Sequence, residues 1–341
     1  MATTADTLKV TETQAVSPDG GLYVGVDIGG TKVAAGIVNH KGEIRRQTKA
    51  PMATHGTAAE GLKAVLDAIS FILDGDANLK KSIRGIGICS PGPLDPHTGV
   101  VINPPNLPCW RNFPLAEKVS RVYGVPVRLD NDANAAALAE CLWGAGRGYR
   151  NVFFTILGTG VGTGILIDGN IYYGRTGAAA EGGHVTVDYK GPRCGCGKYG
   201  CIEALAAGPA IAKRARTKIE AQPSAGKAIL ELCGGNLDLV TSESVGQAYS
   251  NGDPLAREVL LETVEFLAIW LGNVIDLLEP DVIIMGGGAS AMLRPFFGEV
   301  RERLTHWSVN SRCQEIPIIP ANYGNEAGIA GGAALTFQVA K

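Results

Sequence analysis

The sequence predicts an α/β protein of two lobes, on three observations. Strand-like and helix-like segments alternate along the chain. At 341 residues it exceeds the length that one hydrophobic core usually serves, so two lobes are the expectation. A strand, a Gly-rich turn and a second strand also occur twice, about 130 residues apart, which is the mark of a duplicated unit with one copy per lobe. A ligand is then expected in a cleft between the lobes.

Residues 1–20 are polar, carry acidic residues and hold no apolar stretch long enough for a signal peptide, so they read as a disordered tail. The first copy, LYVGVDIGGTKVAAGIVNHKGEI, runs apolar to a Gly-Gly turn and then to a second turn at Lys41-Gly42. An amphipathic helix follows, with Leu62, Val65, Leu66, Ile69 and Leu73 on one face. Next come a strand IRGIGIC, a loop rich in Pro and Asn, a short helix near Leu115–Tyr123, and a strand VPVRLDN that feeds the helix ANAAALAECLWG. The second copy, NVFFTILGTGVGTGILIDGNI, places GILI where the first has AGIV and DGN where the first has HKGE. Helices are then expected around Pro209–Ile219, Ser242–Tyr249 and Leu255–Leu278, followed by a buried strand DVIIM, a glycine trio and a further helix. A strand IPIIP and a final helix from Asn325 close the chain. The lobes divide as residues 21–130, with the final helix (about 325–341) packing back on them, and residues 131–324, which contain a Cys/His loop at 184–201.

Composition narrows the function. The net charge is −2 and no run of five Lys or Arg occurs, so neither a nucleic acid nor a membrane surface is an expected partner. The most apolar later segment, FLAIWLGNVIDLL, is broken by Asn273 and Asp276 and falls short of the ~20 residues a membrane span needs. A cytosolic location is expected, where eight cysteines are not a disulfide framework.

Three glycine clusters suit a nucleotide. In DIGGTK, Asp27 to Lys32, Gly29 and Gly30 let backbone N–H groups approach phosphate oxygens beside the Thr31 hydroxyl, and Asp27 is a candidate Mg²⁺ ligand. An ordinary hairpin turn explains that cluster equally well when taken alone. GTGVGTG adds Gly158, Thr159, Gly160 and Gly162 in a loop between strands, more glycine than hairpin closure requires. Gly286, Gly287 and Gly288 follow a strand and open a helix, where backbone can approach a base or ribose or simply make a tight turn. The P-loop pattern is absent.

Two further sets carry reactive side chains. Asp130, Asn131 and Asp132 stand where a strand ends and a helix begins, and three polar residues exceed the needs of one helix cap. A carboxylate there is placed to take a hydroxyl proton during phosphoryl transfer, with Asp132 the candidate and Asn131 able to hydrogen-bond a polyol. His184, Cys194, Cys196 and Cys201 form H-x9-C-x-C-x4-C, a four-ligand set of the kind that closes a structural Zn²⁺ site, although the spacing is unlike a zinc finger's and a disulfide stays open. Glu181 and Glu203 flank this coreless loop, as surface acids or as carboxylates that a clamped loop aims at a sugar. Cys89, Cys109, Cys141, Cys233 and Cys313 are scattered and read as small side chains.

DIGGTK, SPGPLD, NLPCW, DNDANAAALAE, GTGVGTGI, AAAEGGHVTVD, CGCGKYGCIE, DVIIMGGG and NEAGIAGGAAL together resemble the successive motifs of the ROK family of sugar kinases, the bacterial glucokinases above all. The resemblance runs from about Gly21 to the end. It implies the actin-like ATPase fold, a duplicated ribonuclease H-like unit in two lobes, with ATP and Mg²⁺ on the Gly-rich turns and phosphorylation of a hexose 6-hydroxyl. It further implies Asp132 as general base, Asn106, Asn131, Glu181, His184 and Glu203 on the sugar hydroxyls, Gly92 near the sugar, and a homodimer or homotetramer. Kinases of glucose, mannose, N-acetylglucosamine and N-acetylmannosamine share these motifs. Sugar-responsive repressors in the family carry a helix-turn-helix, for which the residues ahead of the first strand are too few and too polar. A nucleotide sensor without catalysis would need a lost base, and Asp132 is present. One departure is Gly183, where the family is expected to carry a bulky apolar residue, and a looser Glu181–His184 turn is the expected result.

Overall fold

The computed structural model describes residues 11–12, 21–74 and 76–337. In chain order the elements are β1 (Thr11–Glu12), β2 (Leu22–Ile28), β3 (Lys32–Asn39), β4 (Ile44–Pro51), α1 (Ala58–Leu73), α2 (Ala77–Ser82) and β5 (Ile83–Ser90). The short β6 (Leu94–Asp95) and β7 (Val100–Val101) precede α3 (Leu115–Tyr123), β8 (Val127–Asn131) and α4 (Asp132–Leu142). Then follow β9 (Val152–Leu157), β10 (Val161–Ile167), β11 (Asn170–Ile171), α5 (Ile202–Ala206), α6 (Gly208–Ala221), α7 (Lys227–Leu232), α8 (Ser242–Ser250) and α9 (Pro254–Leu278). The last are β12 (Val282–Gly286), α10 (Gly288–Leu293), α11 (Phe297–Trp307), β13 (Ile318–Pro320) and α12 (Ala327–Phe337).

Two sheets organise these elements. The first has the order β1-β4-β3-β2-β5-β8 and the second β11-β10-β9-β12-β13. Apart from the β1 edge, both read third-second-first-fourth-fifth along the chain, which is the duplication that the paired Gly-rich hairpins predict. In the first sheet β2 runs antiparallel to β3 and parallel to β5, and β5 runs parallel to β8. In the second, β12 runs parallel to both β9 and β13. This is the mixed α/β, actin-like ATPase fold.

The described residues of 1–148, 164–180 and 323–341 form one compact unit, and 149–163 with 181–322 form another. The boundary near residue 130 expected from sequence falls instead after Gly148, because α4 packs on α12. A Cβ added to Gly331 of α12 would meet the Ala135 backbone of α4 at 2.7 Å, so the two helices touch main chain to side-chain-free main chain. The expected disordered tail lies outside the described residues except at Thr11–Glu12, which pairs antiparallel with β4 at Arg46 and Gln47.

Alternation along β2 explains the layers of the first unit. Val24, Val26 and Ile28 join α1 residues Val65, Ile69 and Ile72 in one core. Tyr23 points to the other face, with Ile329 and Ala333 of α12. On that face β2 and β5 carry Gly25 and Gly87, where a Cβ would stand 1.8 Å from Ile329 O and 1.7 Å from Gly332 O. Only glycine lets α12 lie this close, and Asp27, on the same face as Gly25, thereby comes under Gly328. A capping box starts α1, with Thr57 and Glu60 satisfying each other's backbone N–H groups.

In the second unit the 25-residue α9 is the central helix, capped by Asp253. Trp270 of α9 is buried and meets Phe153 of β9 edge to face at 5.5 Å. Despite its length, among the described residues no helix is long and apolar enough to cross a membrane.

Candidate active site

In the first unit, acids gather at the ends of β2 and β8. Asp27 is the last residue but one of β2 and pairs in register with Cys89 of β5, which pairs with Asp130 of β8. Asp132 opens α4, with Asn131 as the cap whose Oδ1 accepts from Ala133 N at 2.9 Å. Asp132 stays exposed although protein matter surrounds it closely, and that low-dielectric surrounding raises its carboxyl pKa against the opposing Ala133 N–H. Burial, then the Asp132 charge, push the Asp27 carboxyl up to about 6, with Lys49 pulling the other way. Burial and then the same acids raise the Cys89 thiol, whose Sγ donates to Gly328 O at 3.2 Å. Two carboxyls both raised by their surroundings, Asp27 further so by the Asp132 charge, and one of them accessible, are suited to hold a cation and to accept a proton.

Asp130 is buried and fully engaged: Tyr173 Oη donates to it at 2.6 Å, Asn131 N at 2.7 Å and Asn134 Nδ2 at 3.1 Å. It fixes the joint that carries Asn131 and Asp132. Sequence reasoning missed Tyr173, which lies 43 residues away and carries no local signal. The DIGGTK turn is a tight one, closed by Gly29 N donating to Lys32 O at 2.8 Å, with Thr31 and Lys32 exposed. Exposed Asn106 lies against it, since a Cβ on Gly30 would meet Asn106 O at 3.4 Å. Gly92 is half-buried two residues beyond the end of β5.

In the second unit the glycine turn is shorter than the sequence implied. Only Gly158–Gly160 separate β9 from β10; Gly162 lies inside β10, where its carbonyl accepts from Thr155 Oγ1 at 3.2 Å. Glycine there serves the sheet rather than a loop. Gly158 and Thr159 share a cavity of about 490 Å³ with Gly288, at the start of α10, and with Ser242 and Glu243 of α8. Gly286 is buried at the end of β12, and Gly287 has φ +89°, a left-handed conformation suited to glycine, as it turns the chain into α10. The lining residues of α8 carried no recognisable motif.

The Cys/His loop brings its four residues together. The candidate ligand atoms of His184, Cys194, Cys196 and Cys201 all lie within 4.8 Å of one another. Cys194 Sγ is 3.7 Å from His184 Nδ1, and Cys196 Sγ is 3.7 Å from Cys201 Sγ. Metal–sulfur bonds of about 2.3 Å in a tetrahedron put neighbouring donors about 3.6–3.8 Å apart, so the set fits a metal ion, whereas disulfide sulfurs stand about 2.0 Å apart. All eight cysteines are free. Glu181 is exposed at the start of the turn that carries His184, and Glu203 Oε1 lies 3.9 Å from His184 Nδ1. The expected loosening at Gly183 does not occur: Gly183 is buried, and a Cβ there would stand 2.0 Å from Val161 O, so close packing excludes a side chain.

The model of the ROK family matches residues 23–339. The chain belongs to the ROK family. This ROK protein is 36% identical over 319 residues to the glucokinase of Streptomyces coelicolor, covering 93% of this chain and 98% of that one. It is 30% identical to the N-acetyl-D-glucosamine kinase of Escherichia coli, over 92% of this chain and 99% of that relative. The crystal structure of a ROK family glucokinase from Streptomyces griseus, in complex with glucose and AMPPNP, superimposes with a TM-score of 0.77 at 34% identity, covering 93% of this chain and 100% of that one. The ROK chain is therefore a sugar kinase, related most nearly to glucokinases among these.

Proposed function

We propose that the protein is an ATP-dependent glucokinase that phosphorylates the 6-hydroxyl of glucose with Asp132 as general base. Asp132 takes the hydroxyl proton as that oxygen bonds to the γ-phosphorus, the bond from γ-phosphorus to the β,γ-bridging oxygen breaks, and ADP leaves. The observation that carries this reading is an accessible carboxylate at the start of α4 whose pKa is raised toward working pH. Gly29, Gly30, Thr31 and Lys32, with Gly158, Thr159 and Gly160, hold the phosphates. Gly286, Gly287 and Gly288 allow the nucleoside to approach. Asn106, Asn131, Glu181, His184 and Glu203 hold sugar hydroxyls, with Gly92 near the sugar. Asp27 would hold Mg²⁺, which when bound neutralises charge on the β- and γ-phosphate oxygens. His184, Cys194, Cys196 and Cys201 would hold Zn²⁺, whose closed shell clamps a loop with no core of its own. A homodimer or homotetramer in the cytosol completes the reading.

ADP release at fixed ATP across glucose, mannose, N-acetylglucosamine and N-acetylmannosamine tests it. Glucose is expected to give the highest kcat/KM. A higher value for an amino sugar would reassign the substrate, and no release with any of them would end the kinase reading.

A further inference from the structure

The Gly158–Gly160 turn and the start of β10 that follows it are held from outside by three contacts. Gly208 N donates to Gly158 O at 2.8 Å. Glu203 Oε2 accepts from Val161 N at 3.0 Å, and Thr163 Oγ1 accepts from Gly182 N at 2.8 Å. The last two partners flank the metal-ligand set: Glu203 stands two residues after Cys201, and Gly182 two before His184. The remaining Glu203 oxygen, Oε1, lies 3.5 Å from Cys194 Sγ and 3.9 Å from His184 Nδ1. One carboxylate thus touches both the Cys/His cluster and the glycine turn.

The peptide it holds is the hinge of that turn. Val161 N–H is taken by Glu203, and the carbonyl at the other end of the same peptide, Gly160 O, accepts from Gly158 N at 2.9 Å. The fit is close on both sides, because a Cβ on Gly160 would stand 2.7 Å from Glu203 Oε2 and one on Gly183 would stand 2.0 Å from Val161 O. A glycine-rich turn has the most backbone freedom to lose, so its amides hold an anion well only if something else fixes them.

We infer that Glu203 is a positioning residue through which the metal cluster fixes the second glycine turn, so that the cluster serves the nucleotide phosphates as well as the sugar. This rests on the reading of Gly158–Gly160 as a phosphate turn. Calorimetric titration of the full-length protein with AMPPNP, no sugar present, separates the two ideas, with bound metal measured by atomic emission in each sample. Glu203→Ala is expected to raise the AMPPNP Kd about 10-fold, as loss of a charged acceptor does. Glu203→Gln, which keeps an oxygen for Val161 N, is expected to stay within about threefold. Thr163→Val, away from the ligands, frees Gly182 N and is expected to raise Kd about threefold even if Glu203→Ala fails to fold. Weaker binding by Glu203→Ala with the metal retained supports the coupling. Unchanged AMPPNP affinity beside a raised hexose KM overturns it and leaves Glu203 to the sugar alone. Weakening that appears only when the metal is lost also overturns the carboxylate's role. Wild-type protein that binds no AMPPNP removes the phosphate-turn reading and this inference together.

Discussion

The ends of the two sheets can be compared residue by residue, because the strand order repeats. Asp27 and Ile156 each stand two residues before the first turn glycine, Gly29 and Gly158. Their parallel neighbours are Cys89 in the first sheet and Gly286 in the second. Beyond Cys89 lies Asp130, whereas a Cβ on Gly286 would face Ala321. The first copy has put ionisable groups at three strand ends where the second has an aliphatic, a glycine and an alanine. An anionic phosphate chain is repelled by carboxylates unless a cation intervenes, while it is welcomed by bare backbone. Duplication has thus let one copy specialise in charge and the other in close approach.

The strongest way to break that division is Asp132→Ala. Removal of a general base costs about 10²–10⁴ in rate, so kcat is expected to fall about 10³-fold while AMPPNP binds within twofold of wild type. Near-normal turnover would mean that the acidic end does no proton chemistry. In the wild type, kcat is expected to fall on the acid side as pH drops through the raised Asp132 pKa, above its ordinary 3.8.

A middle-sized effect is expected from the Cys/His cluster. Cys196→Ser removes one of four donors, and mutation of the groups that merely support a ligand already typically costs 10–100-fold in metal affinity or activity. Hexose KM is expected to rise by at least about 10-fold with metal content below that of wild type. Full metal content and an unchanged KM would show that the cluster orients nothing.

What was legible in the sequence was local. Turn glycines, the β8–α4 acids and the four ligand types lie close together along the chain, so spacing alone exposes them. What was hidden is long-range. Tyr173 reaches Asp130 across 43 residues and Glu203 reaches Val161 across 42. Gly183 looked like a loosened turn because only the fold brings Val161 O against it. Gly162 looked like loop because glycine marks both a flexible turn and a strand that must pack closely. The unit boundary shifted for a similar reason, since α4 belongs with α12, a helix nearly two hundred residues later, through Gly331 and Ala135.

The smallest effect sharpens the comparison from the side of stability. Asp27 is held with its carboxyl pKa up to about 6, above the 3.8 of an unfolded chain, by burial first and the Asp132 charge second. A folded-state pKa that is raised means that the folded form binds the proton more tightly. That contribution to stability is therefore complete below about pH 4 and is lost as pH rises through about 6. At pH 7.5 the charged Asp27 is a cost that Asn, of the same shape and neutral, does not carry. Because the group is only partly shielded from solvent, the cost is discounted to about 1 kcal/mol, or roughly 2 °C in Tm. Asp27→Asn is thus expected to be inactive yet slightly more heat-stable at pH 7.5, with the gain shrinking as pH falls from 6 toward 4. Scanning calorimetry of both proteins at the two ends of that range decides the matter. Equal melting at every pH would show that the strand end holds its acid without strain, and the acidic copy would then differ from the glycine copy in chemistry alone.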